Sequence, residues 1–267
     1  LAVTSASMDE DFGTTVVFVN ATLSLVSGLD ATVNLAKSGT AKDNIDYSMS
    51  PSIFIPAGSA TQSTLLEALG DLLSEDNETV VIDIDTTAGA EEAVPQQVTV
   101  TIMDDDPLPT VLLSVDSLSI NESAPGDVTN VKATVSAIAG RNVTVTLSKS
   151  GAAIEGKDYT LPGTIVVVEG NLSGSVSLSA VGDLIDEDLE ETIVIAIDTV
   201  SNGLEDNVQQ ETVKLVDDDA APTVALSVGS DITDEGTSVL VTTTLSAVSG
   251  LPVTVTFSKS GTAIEND

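Results

Sequence analysis

The segment LAKSGTAKDNIDY, Leu35 to Tyr47, returns as LSKSGAAIEGKDY, Leu147 to Tyr159, and again as FSKSGTAIEND, Phe257 to Asp267. Its lysines, Lys37, Lys149 and Lys259, stand 112 and 110 residues apart. Three further landmarks keep nearly the same step: Glu10, Glu122 and Glu235; Glu78 and Glu191; Asp104 and Asp217. Chance does not hold four landmarks in one register, so the chain is built from copies of one unit. The units run over 1–107, 108–221 and 222–267, the last being only the N-terminal part of a copy. Leu1 aligns with Leu113 inside a first strand, and the sequence stops one residue short of the position matching Asp46 and Asp158. The expectation is a piece of a longer repeat array.

Within each unit the pattern is β. TTVVFVNATLSL, from Thr14, alternates with Val17, Val19, Ala21 and Leu23 on one face, and VTNVKATVSA from Val128 and SVLVTTTLSA from Ser238 do the same. Further strands are read in TVLLSV from Thr110, RNVTVTLS from Arg141, GTIVVVEG from Gly163, GSVSLSA from Gly174, TIVIAID from Thr192 and ETVKLV from Glu211. STLLEALGDLL from Ser63 has a helix-like spacing, but its partner GSVSLSAVGDLI reads as a strand running into a loop, and register with the repeat decides for strand. KSG reads as a strand end followed by a glycine turn. The fold class is therefore all-β: tandem immunoglobulin-like antiparallel sandwiches of about seven strands each. Aromatics make up 2% of the chain, so the core must come from Val, Leu, Ile and Ala.

Charge limits the partners. There are 42 acidic residues against 8 basic, a formal net charge of −34, while 42% apolar residues separate the chain from a disordered acidic tail. Nucleic acid and anionic membrane surfaces both call for basic patches, so neither is expected as a partner. Cations are. With no cysteine there are no disulfides. No apolar run is long enough for a membrane-spanning helix, and Leu1 does not begin a signal peptide.

The acids are not spread along strand faces. In the first unit they gather at Glu10 after the first strand, at Asp46 after the third, at Asp71, Glu75 and Glu78 in a loop, and at Asp104, Asp105 and Asp106 at the end. The second unit repeats this with Glu122, Asp158, the run GDLIDEDLEET from Gly182 to Thr192, and Asp217, Asp218 and Asp219. In a seven-stranded sandwich the loop after the fifth strand and the end of the seventh share a pole, and the other two seams can reach it. Seven or eight carboxylates there repel one another unless a counter-ion binds. Calcium suits them, taking about 6–8 hard oxygen ligands in flexible geometry. Magnesium prefers fewer carboxylates and keeps its waters. Zinc and copper call for His or Cys, and the chain has neither. The competing reading, a solvated acidic turn of a salt-adapted protein, does not explain why DDD recurs before a proline in register with distant acids.

The order Glu, GTA…DY, D-x-x-x-E-x-x-E-T, DDD-x-x-P resembles the Calx-beta domain, found in sodium–calcium exchangers, integrin β4 and many large microbial surface proteins. The resemblance covers the first two units and the third as far as it runs. It implies an immunoglobulin-like sandwich with calcium at one pole, beside the junction with the following domain. Carried over by position, the implied ligands are Glu10, Asp46, Asp71, Glu75, Glu78, Asp104, Asp105 and Asp106 in the first unit. In the second they are Glu122, Asp158, Asp217, Asp218 and Asp219; in a loop one residue longer Asp183, Asp186, Glu187, Asp188 and Glu191 compete for the remaining places, and Asp183, Asp188 and Glu191 are chosen. Only Glu235 of the set falls in the third unit. The function expected is a calcium-binding structural or adhesive repeat of a long secreted or cell-surface protein, with Ca2+ stiffening the junctions between neighbouring repeats. A regulatory calcium sensor, or a filament subunit whose incomplete third unit is finished by strand exchange with another copy, are the alternatives; a surface receptor is a further possible partner. No catalytic constellation is visible, and an enzyme is not expected. The five N-x-S/T sequons, at Asn20, Asn77, Asn121, Asn142 and Asn171, are no more than a Ser- and Thr-rich chain produces by chance.

Overall fold

The computed structural model describes residues 1–10, 16–123 and 125–262. The start of the first alternating stretch at Thr14 and the end of the third KSG segment, residues 263–267, lie outside them. Every regular element among the described residues is a strand. The first repeat contains β1 (Ala2–Val3), β2 (Ser7–Asp9), β3 (Val16–Thr22), β4 (Ala31–Gly39), β5 (Tyr47–Met49), β6 (Ser52–Ile55), β7 (Thr61–Ala68), β8 (Glu78–Ala88) and β9 (Gln97–Met103). The second contains β10 (Thr110–Val115), β11 (Ser119–Asn121), β12 (Val128–Val135), β13 (Val143–Gly151), β14 (Tyr159–Thr160), β15 (Thr164–Val167), β16 (Ser173–Ala180), β17 (Glu190–Ser201), β18 (Leu204–Glu205) and β19 (Gln210–Val216). The third segment supplies β20 (Val224–Val228) and β21 (Val241–Leu245), paired antiparallel.

In the first repeat one sheet has the order β1-β3-β7-β5 and the other β2-β9-β8-β4-β6. The second repeats the plan with β14-β16-β12-β10-β18 and β11-β19-β17-β13-β15. In the first repeat seven strands become nine because both edge strands change sheets partway; the second does the same and adds the short β18 beside β10. The first strand pairs with β3 as β1, crosses at Ser5, and pairs in parallel with β9 as β2. The Ser5 hydroxyl donates to the Ser7 carbonyl (2.6 Å) at that corner, as Ser117 does to Ser119 (2.7 Å). The fourth strand leaves β7 after β5 and joins β4 as β6; Pro51 between them has no N–H to offer either ladder, and its carbonyl accepts from Leu35 (2.8 Å). The stretch from Ser63 is a strand, pairing Val16 with Glu67 through to Thr22 with Thr61.

Period-2 alternation decides what is buried. Val17, Val19 and Ala21 of β3 face the core, as do Val80 and Ile82 of β8, while Phe18 between them is exposed. Tyr47 and Tyr159, the only tyrosines, are each 2% exposed at the start of the sheet-switching strand. Gly39 and Gly151 end the KSG strands at φ of 118° and 125°, where a Cβ would lie 2.0 Å from the Thr79 or Thr192 carbonyl oxygen. That accounts for KSG structurally, the lysines pairing with Asp43 and Glu155 nearby. In the third segment Val224, Leu226 and Val228, which match the core-facing Val111, Leu113 and Val115, lie exposed.

A glutamine pins the entry of each repeat. Gln209 Oε1 accepts from the Leu113 amide (2.7 Å) and its Nε2 donates to the Val111 carbonyl (2.6 Å), tying β10 to the start of β19. In the first repeat Gln96 Oε1 accepts from the Leu1 amine. Truncating Gln209 leaves two partly buried backbone groups without partners. Gln209→Ala is therefore expected to destabilise the second repeat by about 1–3 kcal/mol, read by urea titration, while exposed Gln210→Ala stays within about 0.5 kcal/mol.

Candidate metal centres at the poles of the repeats

The parallel pairing of the switched first strand brings residues nearly one hundred positions apart in sequence side by side. β2 runs alongside β9 with Asp9 opposite Met103, and the Glu10 amide donates to the Met103 carbonyl (3.0 Å). In the second repeat Asn121 lies opposite Val216 and Glu122 donates to its carbonyl (3.0 Å). The next residues along β9 and β19 are Asp104 and Asp217, so each glutamate emerges beside an aspartate triplet. The triplets keep the strand alternation: Asp104 and Asp106 are partly buried while Asp105 is exposed, and Asp217 is buried, Asp219 partly buried and Asp218 exposed.

Two turns supply the rest. Asp46 Oδ2 accepts from the Lys42 amide (2.6 Å) and Asp158 Oδ2 from the Ile154 amide (2.6 Å), so each carboxylate is held four residues downstream of its own donor. Asn44 at φ 62° and Gly156 at φ 84° turn the chain at matching places. In the following loop Asp71 Oδ1 accepts from Leu73 (2.6 Å) and Asp183 Oδ1 from Ile185 (2.7 Å), which orders the acidic run before β8 and β17. Glu75 and Glu78 follow in the first repeat, Glu187 and Glu191 in the second.

These side chains converge. Asp46, Glu75 and Glu78 present carboxylate oxygens all within 4.8 Å of one another, and so do Glu122, Asp158 and Glu187. The remaining acids act on them electrostatically. Burial, then the charges of Asp71, Glu75, Asp104 and Asp106, push Glu10 up to about 7. Burial, then Glu187, Asp158, Asp183 and Asp217, push Glu122 up to about 7. Glu78 rises to about 7 through burial and its hydrogen bond with Asp46. Burial also raises Glu75 and Glu191. Asp104 Oδ1 is buried with no hydrogen-bond partner. An acceptor oxygen in that position needs a donor hydrogen or a cation, and among carboxylates that repel one another a cation also relieves the charge. The donors are all hard oxygens, with no His or Cys in the chain, and they fit calcium.

Of the residues singled out in the sequence, Glu10, Asp46, Asp71, Glu75, Glu78, Asp104 and Asp106 come together in the first repeat, and Glu122, Asp158, Asp183, Glu191 and Asp217 in the second. Asp219 lies beside Asp217, Asp183 and Asp186. Asp105, Asp218 and Asp188 are exposed, and so is Glu235. Glu187 stands in the cluster where the sequence singles out Asp188. The signal for it is the equal spacing of Asp71 to Glu75 and Asp183 to Glu187, which puts the extra residue of the longer loop after Glu187.

The acidic loop also meets the next repeat. Ser74 bridges Ala139, the Gly140 amide donates to the Ser74 carbonyl (3.2 Å), and Arg141 pairs with Asp76 and donates to Ser74 Oγ (3.2 Å). At the following joint Asp186 bridges Ser249 and its carbonyl accepts from Gly250 (2.9 Å). A Cβ on Gly140 would lie 2.0 Å from Glu75 Oε1, and one on Gly250 2.8 Å from Glu187 Cγ. Glycine is what lets the following repeat approach the cluster so closely. Nothing in the strand pattern points to this contact.

A family model described as the Calx-beta domain matches residues 1–106 and 107–219. Among solved structures, CBD12 from CALX1.2 is similar at 21% identity, covering 73% of this chain and 77% of that one, with a TM-score of 0.34. The calcium binding domain CBD12 of CALX1.1 is similar at 19% identity, covering 78% and 83%, also with a TM-score of 0.34. The CupB2 chaperone of Pseudomonas aeruginosa is similar at 8% identity, covering 80% and 98%, with a TM-score of 0.27. The comparison with curated proteins finds no match.

The glutamate shifts have a sign that a melting experiment reads. With folded values near 7 for Glu10, Glu78 and Glu122 against an ordinary 4.5, the folded chain holds more protons than the unfolded chain between those limits. Metal-free stability therefore falls as pH rises from about 4.5 to about 7. Metal-stripped protein is expected to melt at a higher temperature at pH 5.5 than at pH 7.5, and Glu10→Gln with Glu122→Gln should flatten that slope.

Proposed function

The chain belongs to the Calx-beta domain family, and from that premise we propose that it is a calcium-binding structural segment of a long secreted or cell-surface protein, in which Ca2+ at the pole of each repeat stiffens the joint to the next. The observation that carries the reading is the shared address of two features: the loop holding Glu75 in the carboxylate cluster is the loop that docks on Gly140 and Arg141. Glu10, Asp46, Asp71, Glu75, Glu78, Asp104 and Asp106 would hold calcium in the first repeat. Glu122, Asp158, Asp183, Glu187, Glu191, Asp217 and Asp219 would do so in the second. The exposed Asp105 and Asp218 would complete coordination on the outer side. Repeat boundaries at 107 and 221 fall just beyond the aspartate triplets, so the ligands lie against the linkers.

Bound calcium neutralises charges that otherwise repel, and it does so only in the folded chain, where the ligands are assembled. Its stabilisation is about 2.7 kcal/mol at a free concentration one hundred times the dissociation constant. Because Ser74 and Glu75 are adjacent, ordering the cluster also orders the surface that Gly140 meets. Pro107, Pro109 and Pro222 restrict the same linkers.

Calorimetric titration of the chain with calcium, alongside thermal melting, tests the reading. Binding of more than one ion per chain, with a melting temperature that climbs with calcium, is the expected result. No heat and no shift in millimolar calcium would refute it. The joint is tested separately by Gly140→Val, which crowds Glu75. Small-angle scattering should then show a broader distribution of lengths in calcium than the natural chain, and titration should show weaker binding by about tenfold, the equivalent of about 1.4 kcal/mol.

A further inference from the structure

The two carboxylate clusters differ in which charged side chain touches them. Lys157 reaches from the turn before Asp158 and places its Nζ 2.5 Å from Glu187 Oε1 and 3.1 Å from Asp158 Oδ1. Glu187 and Asp158 are two of the three carboxylates that meet in the second repeat, and their side chains are 15% and 3% exposed. The Lys157 side chain is about half exposed, yet its ammonium reaches both carboxylates. The first repeat has Ile45 at this position, exposed and uncharged. Its nearest counterpart, Lys42, matches Ile154 in the turn and makes no ion pair with a cluster carboxylate among the described residues.

We infer that Lys157 is a built-in counter-ion of the second repeat, occupying ground a calcium ion would take between Asp158 and Glu187. A cation coordinated by both carboxylates would sit within a few ångströms of the ammonium, and two positive charges at that separation repel even with the screening that the half-exposed lysine receives. Calcium must therefore displace Lys157 to use both oxygens, or leave that position unused. The first repeat has no ammonium in contact with its cluster among the described residues; Lys42 acts on Glu75 and Glu78 only through space. Its cluster therefore leans more on calcium for neutralisation than the second, where the chain places a cation against two of the carboxylates. The two repeats thus differ in calcium demand despite a shared fold: the first stiffens when calcium arrives, and the second is preassembled and binds fewer ions or binds them more weakly.

The competition rests on the calcium reading above; the counter-ion role does not. Lys157→Ile, which copies the first repeat, and Ile45→Lys, which copies the second, are compared with the natural chain by calcium calorimetry and by melting of calcium-stripped protein. The expected result for Lys157→Ile is one more bound ion, or weak-site affinity about tenfold tighter, with a lower calcium-free melting temperature. Ile45→Lys should weaken the tighter sites and raise the calcium-free melting temperature. Unchanged stoichiometry, affinity and calcium-free melting in Lys157→Ile would overturn the inference. If Lys157→Ile fails to fold without calcium, Ile45→Lys decides: weaker binding supports the inference and unchanged binding overturns it. If the natural chain binds no calcium, the proposed function fails, and a lower calcium-free melting temperature in Lys157→Ile still supports the counter-ion while an unchanged one removes it.

Discussion

The parallel ladder between the second half of the first strand and the last strand of each repeat is the constraint on which the rest depends. Antiparallel pairs make up most of these sandwiches, some between neighbours in sequence and some, such as β3 with β7 and β4 with β8, across the middle of the repeat. The parallel pairs β2 against β9, and β11 against β19, bring the beginning of a repeat to the very end of it, at the pole where the acids lie. That pairing covers the long β9 and β19 with edge strands of only three residues. It also sets Glu10 beside Asp104 and Glu122 beside Asp217, and it carries the linker away from the same pole. Site and joint share an address because one ladder makes both.

The cluster that results is costly to hold without a partner. Glutamates driven toward neutrality and a buried aspartate oxygen with no donor describe a place where folding brings charge together faster than hydrogen bonds satisfy it. A sandwich core of Val, Ile and Leu on each side supplies the stability against which this local strain is set. Functional sites commonly show such a conflict between local and global preference. Here the conflict is the same in kind in both repeats but different in degree, since Arg141, the only arginine in the chain, serves the first joint and Lys157 serves the second cluster.

Much of this was legible in the chain itself. The strand faces of Val17, Val19 and Ala21, and the strand rather than helix at Ser63, follow from period-2 alternation and from register between copies. The acids to compare were also visible, because spacing survives in sequence whatever the fold does with it. What the seven-strand pattern did not contain was the division of the edge strands. A sheet change needs only a serine corner or a proline, and neither interrupts the apolar alternation enough to be seen.

The amino-acid sequence by itself determined that this protein is an all-β tandem repeat with acids recurring at fixed stations, since period and charge are properties of order along the chain. Tertiary structure decided which of the candidate acids meet. Glu187 enters the cluster while Asp188 faces solvent, because successive residues of an extended segment point to opposite sides. It alone also decided that Lys157 stands inside one cluster and that Gly140 lies against Glu75. Those are contacts between segments tens of residues apart, fixed by how loops close over a pole, and linear spacing does not record them.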